Sequence, residues 1–284
     1  MAAIRQTVFV MPLPLIIADR ISVGKDLAIS TTLTQSSLEQ ERDLRSDAVD
    51  VAVTAMDNIL AWNRRGGDFV ILGQIEQTTP LTLWAAPSVR TIAELATARL
   101  AVDAADSGFV IVLRAFLKQQ GIEEERCSWL PLGGVKQRYE ALLAGRCDAT
   151  MLGPPFDDLA RQSGCHALLD VQASWPQFPG QGIVARKATM RNRRATLRKY
   201  IEAVETSLSW IHENRERALD VLVEAQVPQV AARAMLRTAA DDLRPTTAGV
   251  DLLIQMRSEL GLLDGIAPDY KSLVDVTLLS TGHS

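Results

Sequence analysis

The chemistry-bearing residues of this chain gather where apolar runs stop. Carboxylates stand at or just after such stops: Asp57 after the run Asp50–Thr54, Glu76 after Phe69–Ile75, Asp106 after Leu100–Val102 and Asp157 after Asp148–Leu152. Hydroxyl and glycine pairs stand there too, as Ser36-Ser37, Thr54 and Ser107-Gly108. A serine and a glycine opening a helix leave backbone N–H groups facing outward with the positive end of the helix dipole behind them. That arrangement suits a polar or anionic small ligand, and equally an ordinary helix cap. Asp57 reads in two ways, as a helix N-terminal residue favoured by the dipole or as a contact for a ligand amine or hydroxyl; Asp106 divides the same way. The carboxylates form no recognisable acid–base dyad.

Groups for covalent or metal chemistry are sparse. Of three histidines, His166 adjoins a strand, His212 lies on a C-terminal helix and His283 is in the tail, so no strand-end loop carries one. Cys127, Cys147 and Cys165 show neither CxxC nor metal spacing and read as small buried hydrophobes. No catalytic residue, metal or cofactor is assigned, and a binding role is favoured over an enzymatic one.

The positioning elements alternate. Thr7–Met11 reads as a strand ended by Pro12 and Pro14, followed by a short helix from Leu15. Leu27–Thr34, Val49–Thr54 and Phe69–Ile75 are strands, with helices from Leu38 and through Trp62 between them. Thr91 and Glu94 make a capping box. Leu100–Val102, Trp129–Leu132, Asp148–Leu152 and Ala167–Val171 are further strands, with helices at Phe109–Gln120, Val135–Leu143 and Phe156–Gln162. Ile183–Ala185 returns the chain to its first half. Four helices follow, the first with Leu197, Tyr200, Ile201, Val204, Leu208 and Ile211 at helical spacing. Alternation of this kind builds mostly parallel sheets covered by helices, with ligands beyond the carboxyl ends of the strands. The expected organisation is two α/β lobes: residues 1–82 with 184–284, and an inserted lobe, 83–183. Their strand-end loops would face across one cleft, with two connecting strands as a hinge.

Bulk properties narrow the field. The chain has 284 residues, 47% hydrophobic, 23% charged, with a net charge of −4, which points away from nucleic acid. No run reaches membrane-spanning length, so no membrane insertion is expected.

In order, Gln35–Gln40, Asp50–Trp62, Leu100–Phe109, Gly133-Gly134 with Arg138, Glu140–Gly145 and Met151–Asp157 make the chain resemble the nitrate/sulfonate/taurine and thiamine-pyrimidine-type solute-binding proteins. The resemblance covers about residues 5 to 280. It implies an α/β, two-lobed type 2 periplasmic-binding (Venus-flytrap) fold, with mixed, mostly parallel sheets flanked by helices. It also implies a substrate-binding component of an ABC-type uptake system, with a small polar organic solute and an ABC permease as partners. Location follows as periplasmic if a signal peptide has been removed and cytoplasmic if the chain is complete as given. The alternative is a cytosolic enzyme of the same fold (decarboxylase, desulfinase or biosynthetic type) acting on a small aromatic or heterocyclic acid. Carried onto this sequence, the expected ligand contacts are Ser36, Ser37, Thr54, Asp57, Ser107, Gly108, Gly153 and Pro154. Met11, Leu13, Met56, Phe109 and Trp175 are the expected walls. Two features depart from the family: Arg20–Asp26 lacks the usual Gly-aromatic-aromatic element, and the N-terminus lacks an export signal.

Overall fold

The computed structural model describes residues 2–106 and 108–280. In chain order the first part comprises β1 (Ala2–Val8), α1 (Leu13–Ile21), β2 (Leu27–Leu33), α2 (Ser37–Arg45), β3 (Val51–Ala55), α3 (Asn58–Arg64) and β4 (Phe69–Gln74). The middle holds β5 (Thr82–Ala85), β6 (Arg99–Val102), α4 (Val110–Gln119), β7 (Ser128–Pro131), α5 (Val135–Leu143), β8 (Ala149–Leu152), α6 (Phe156–Gln162), β9 (His166–Asp170) and α7 (Val171–Ser174). The chain then forms β10 (Gln181–Arg186), α8 (Lys187–Asn192), α9 (Arg194–Glu213), α10 (Arg215–Glu224), α11 (Gln229–Thr238), α12 (Thr247–Glu259) and α13 (Tyr270–Leu273).

Two five-stranded sheets repeat one plan. The first runs β2-β1-β3-β10-β4 and the second β7-β6-β8-β5-β9. In each, three strands pair in parallel, and the strand that has just crossed from the other sheet inserts antiparallel beside the third. The chain crosses between sheets twice, after β4 and again before β10. This is the two-lobed type 2 periplasmic-binding architecture, and the parallel strands of each lobe end toward the other.

Local sequence explains the framework. All five residues of β3 and all six of β4 are buried, as central strands covered on both faces require. On α9 the apolar stripe Leu197, Tyr200, Ile201, Val204, Leu208 and Ile211 is buried against the first sheet together with Ile4, Val53 and Leu72. A second core continues from Phe69 and Ile71 through Leu253 and Met256 of α12 to Ile111 and Phe116 of α4, so apolar packing joins the two lobes along one flank. The Thr91–Glu94 capping box forms as its sequence suggests, opening a 3-10 helix at Ile92–Thr97.

One strand lies elsewhere than its pattern suggests. β1 occupies Ala2–Val8, and Met11 falls in the turn that leads into α1. Its polar residues are accommodated by distant partners: Arg5 pairs with Asp50, and the Gln6 amide reaches Thr31 while accepting from the Tyr200 hydroxyl. β10 likewise begins at Gln181. Its Gly182 is needed there because a Cβ would come within 2.7 Å of Met56 Cγ and 2.9 Å of the Gly73 carbonyl oxygen.

Candidate functional site

The first lobe offers three strand-end loops. Beyond β2, Ser36 caps α2, its hydroxyl accepting the Leu38 N–H at 3.2 Å. The Thr34 hydroxyl donates to the Ser36 carbonyl at 3.1 Å and to Glu39 at 2.7 Å, which fixes the loop. Ser37 is fully buried. Beyond β3, the Asn58 amide donates to the Thr54 hydroxyl at 2.6 Å, while Asn58 Oδ1 is buried and accepts no hydrogen bond among the described residues. Beyond β1 lie the half-buried Met11 and the buried Leu13, the latter beginning α1.

The second lobe answers with the loops after β6, β7 and β8. Gly108 has φ of +70°, and a Cβ there would lie 3.2 Å from Asn58 Oδ1. The loop after β6 is therefore seated on the start of α3, one lobe touching the other. Ser107 lies outside the described residues. Gly133, after β7, approaches Gln35 of the first lobe to within 3.8 Å by the same measure. Phe109 is half-buried and its ring stands 6.1 Å from that of the buried Phe178. Trp175 follows α7 and packs against the same core, its backbone N–H donating to the Val171 carbonyl at 2.8 Å.

Several expected ligand contacts have other work. Asp57 is 1% exposed and accepts two hydrogen bonds of 2.7 Å from Arg257 of α12, itself 1% exposed. Both carboxylate oxygens are thus engaged inside the protein. Met56 is buried beneath Gly182, within the core. Thr54 is buried and holds Asn58. Gly153 serves close packing, since a Cβ would meet the Pro80 carbonyl oxygen of the first crossover at 2.7 Å. Pro154 follows it, half-buried at the start of the turn into α6.

The residue absent from the expected contacts is Arg138. It lies in the first turns of α5, just past the Gly133-Gly134 turn, on the element that faces Gln35. Its Nε is buried without a hydrogen-bond partner, and no carboxylate among the described residues reaches ion-pair distance of it. Burial pulls its pKa below the ordinary guanidinium range, while the field of Asp103, just after β6, pulls it back up. A guanidinium keeps its charge, so the half-buried Arg138 brings a cation to this turn with its Nε unpartnered and the field of Asp103 to offset its burial. The signal was legible as an arginine one turn beyond a Gly-Gly at a strand end.

At the crossovers, the half-buried Glu76 accepts from the Gln181 backbone N–H at 3.3 Å, the Gln181 amide at 3.2 Å and the Thr79 hydroxyl at 3.4 Å. It therefore ties the outgoing crossover to the returning one. Gly180 allows the approach, as a Cβ would sit 2.4 Å from Glu76 Cβ. With no cation on it, burial pushes the Glu76 carboxyl up to about 7. Asp157, in the first turn of α6, is also raised by burial. Among the described residues no group of three or more His, Cys, Asp and Glu could hold a metal ion, and no helix is long and apolar enough to cross a membrane.

Fold and site together define a class of two-lobed proteins in which the strand-end loops of two α/β sheets meet. The pattern of the NMT1/THI5-like family matches residues 24–218, and the chain belongs to that family. No curated protein sequence matches it. Among solved structures it is similar to the ligand-binding component of an ABC-type import system from Staphylococcus aureus with zinc bound, at a TM-score of 0.80 and 14% identity, covering 98% of each chain. The alkanesulfonate-binding protein SsuA of Xanthomonas axonopodis pv. citri, bound to MOPS, gives a TM-score of 0.76 and 15% identity over 96% of this chain and 98% of that one. The periplasmic aliphatic sulphonate-binding protein SsuA of Escherichia coli gives 0.71 and 16% over 96% and 92%. At these identities the likeness establishes the fold.

Proposed function

We propose that this protein is the substrate-binding component of an ABC-type uptake system, taking a small polar organic solute with an acid group into the cleft between its lobes. The observation that carries the reading is Arg138: a guanidinium with a buried, unpartnered Nε on a strand-end helix facing the opposite lobe. An anionic solute group would supply the partner that no described residue gives the Arg138 Nε. Ser36 and the amide of Gly108, on strand-end loops of opposite lobes, would add neutral hydrogen bonds, with Phe109 and Trp175 as apolar surface. Lobes of 1–82 with 184–284 and of 83–183 would close over the solute. Membership of the NMT1/THI5-like family, and neighbours whose names describe ABC import and sulfonate binding, support the same reading. A periplasmic location and docking on a permease follow from it. No particular observation favours an enzyme: Asp57 is engaged by Arg257 and Asp106 by Arg65, and the His212 ring contacts the Ala240 carbonyl at 2.9 Å.

Thermal-shift measurements with paired alkanesulfonates, carboxylates and the corresponding amines test the proposal. Stabilisation by acids and not by amines, lost in Arg138→Met, is the expected result. Equal response of parent and variant would remove Arg138 from the site.

A further inference from the structure

Asp106 is gripped from the opposite lobe at two points. Arg257 Nη2 donates to its backbone carbonyl at 2.7 Å, and Arg65 Nη1 donates to its carboxylate at 2.8 Å. Arg257 at the same time holds Asp57 through Nε and Nη2, so one side chain joins α12, the start of α3 and the loop after β6. Arg65 is itself anchored on the buried Glu41 of α2, through Nε at 3.1 Å. Two residues beyond Asp106, Gly108 rests on Asn58.

We propose that Arg257 is a positioning residue of the solute site, holding the loop after β6 in its closed place against the first lobe before any solute arrives. The inference rests on the receptor reading above and adds how the site is assembled. The buried arm, Arg257, is bidentate on Asp57 and reaches Asp106 with a third hydrogen bond. Such a geometry needs the guanidinium fork, which a lysine ammonium cannot reproduce. The arm from Arg65 is about a third exposed and its partner about half, so added salt screens it. Swinging the loop after β6 away from the first lobe, with α4 still packed on α12 along the joined flank, breaks both arms at Asp106 while leaving the Arg257–Asp57 pair inside the first lobe. A closed state favoured by protein contacts raises affinity by enlarging the binding-competent fraction, and slows release because Asp106 must detach first.

The test uses spin labels on cysteines introduced at the exposed Leu38 and Lys136, on the facing helices α2 and α5, in the full chain without added solute. The parent should show one short distance. Arg257→Lys should add a longer population, shifting the open-to-closed ratio about tenfold. Arg65→Met, a surface change, should shift it less, and high salt should mimic that variant in the parent but not add to it. A parent already split between short and long distances, or variants with its distribution unchanged, would overturn the proposal. A merely structural role would lower the melting temperature of Arg257→Lys without moving the distances, and that too counts against it. Because no solute is present, a failed acid-binding experiment leaves this result standing.

Discussion

Replacing Glu76 by glutamine should make the protein more stable at alkaline pH and change the shape of its pH–stability curve. The carboxyl is wedged between the two crossovers, its acceptor oxygens on Gln181 and Thr79, and burial without a cation raises its pKa from 4.5 to about 7. A carboxyl whose pKa is raised by folding binds its proton more tightly in the folded state. Its ionisation therefore costs nothing below about pH 4.5, destabilises progressively between about 4.5 and 7, and exacts the full penalty above that. At about 1.36 kcal/mol per pH unit the full penalty is about 3 kcal/mol, and partial solvent screening brings the expected range to about 1–3 kcal/mol. Glutamine can still accept from Gln181 and Thr79, and it cannot ionise. Urea unfolding of both proteins at intervals from pH 5 to pH 8.5 measures the difference. The histidines are common to both and cancel. The gap between Glu76→Gln and parent should grow in favour of the variant up to about pH 7.5 and then level off. Parallel curves, or a variant that loses stability at high pH, would refute the assignment of Glu76 as an unpaired carboxyl at the crossovers.

Other outcomes follow from single residues. Arg138→Met should lose acid-dependent stabilisation yet unfold at a slightly higher denaturant concentration, by up to about 1 kcal/mol, since it removes a half-buried cation whose Nε has no partner; a variant less stable than parent would contradict that. Arg257→Met should cost about 3–5 kcal/mol by stranding Asp57, measured by urea unfolding, and a loss below about 1 kcal/mol would show the pair is dispensable. Gly108→Ala forces a positive φ on an L side chain and crowds Asn58, so about 1–2 kcal/mol should be lost in the same assay. Gly180→Ala drives a methyl against Glu76 Cβ and the Glu76 and Thr78 carbonyls, and about 1–3 kcal/mol should be lost, with no compensating rotamer available to backbone.

The framework was readable because it is local. Helices α5 and α6 begin and end where their apolar spacing and flanking glycines place them, and the Thr91–Glu94 box needs only four residues to recognise. β1 was displaced because Arg5 and Gln6 look unsuited to a covered strand until Asp50, Thr31 and Tyr200 arrive from elsewhere. The site was less readable for the same reason. Asp57 stands at a strand end, and its partner Arg257 comes from 200 residues further along the chain. Met56 and Gly153 belong to close packing that only the assembled crossovers reveal. Arg138 could have been picked out, but that its Nε meets no partner among the described residues is a fact of three dimensions.

The most direct measurement follows the Arg138 Nε–H resonance in 15N-labelled protein while ethanesulfonate and then propionate are added at pH 7. If the cleft is a receptor for an acid, one of the two saturates at one equivalent and moves this signal strongly as the guanidinium acquires its partner. A solute that binds while the Arg138 signal stays in place, or both acids failing to bind at millimolar concentration, would contradict the account.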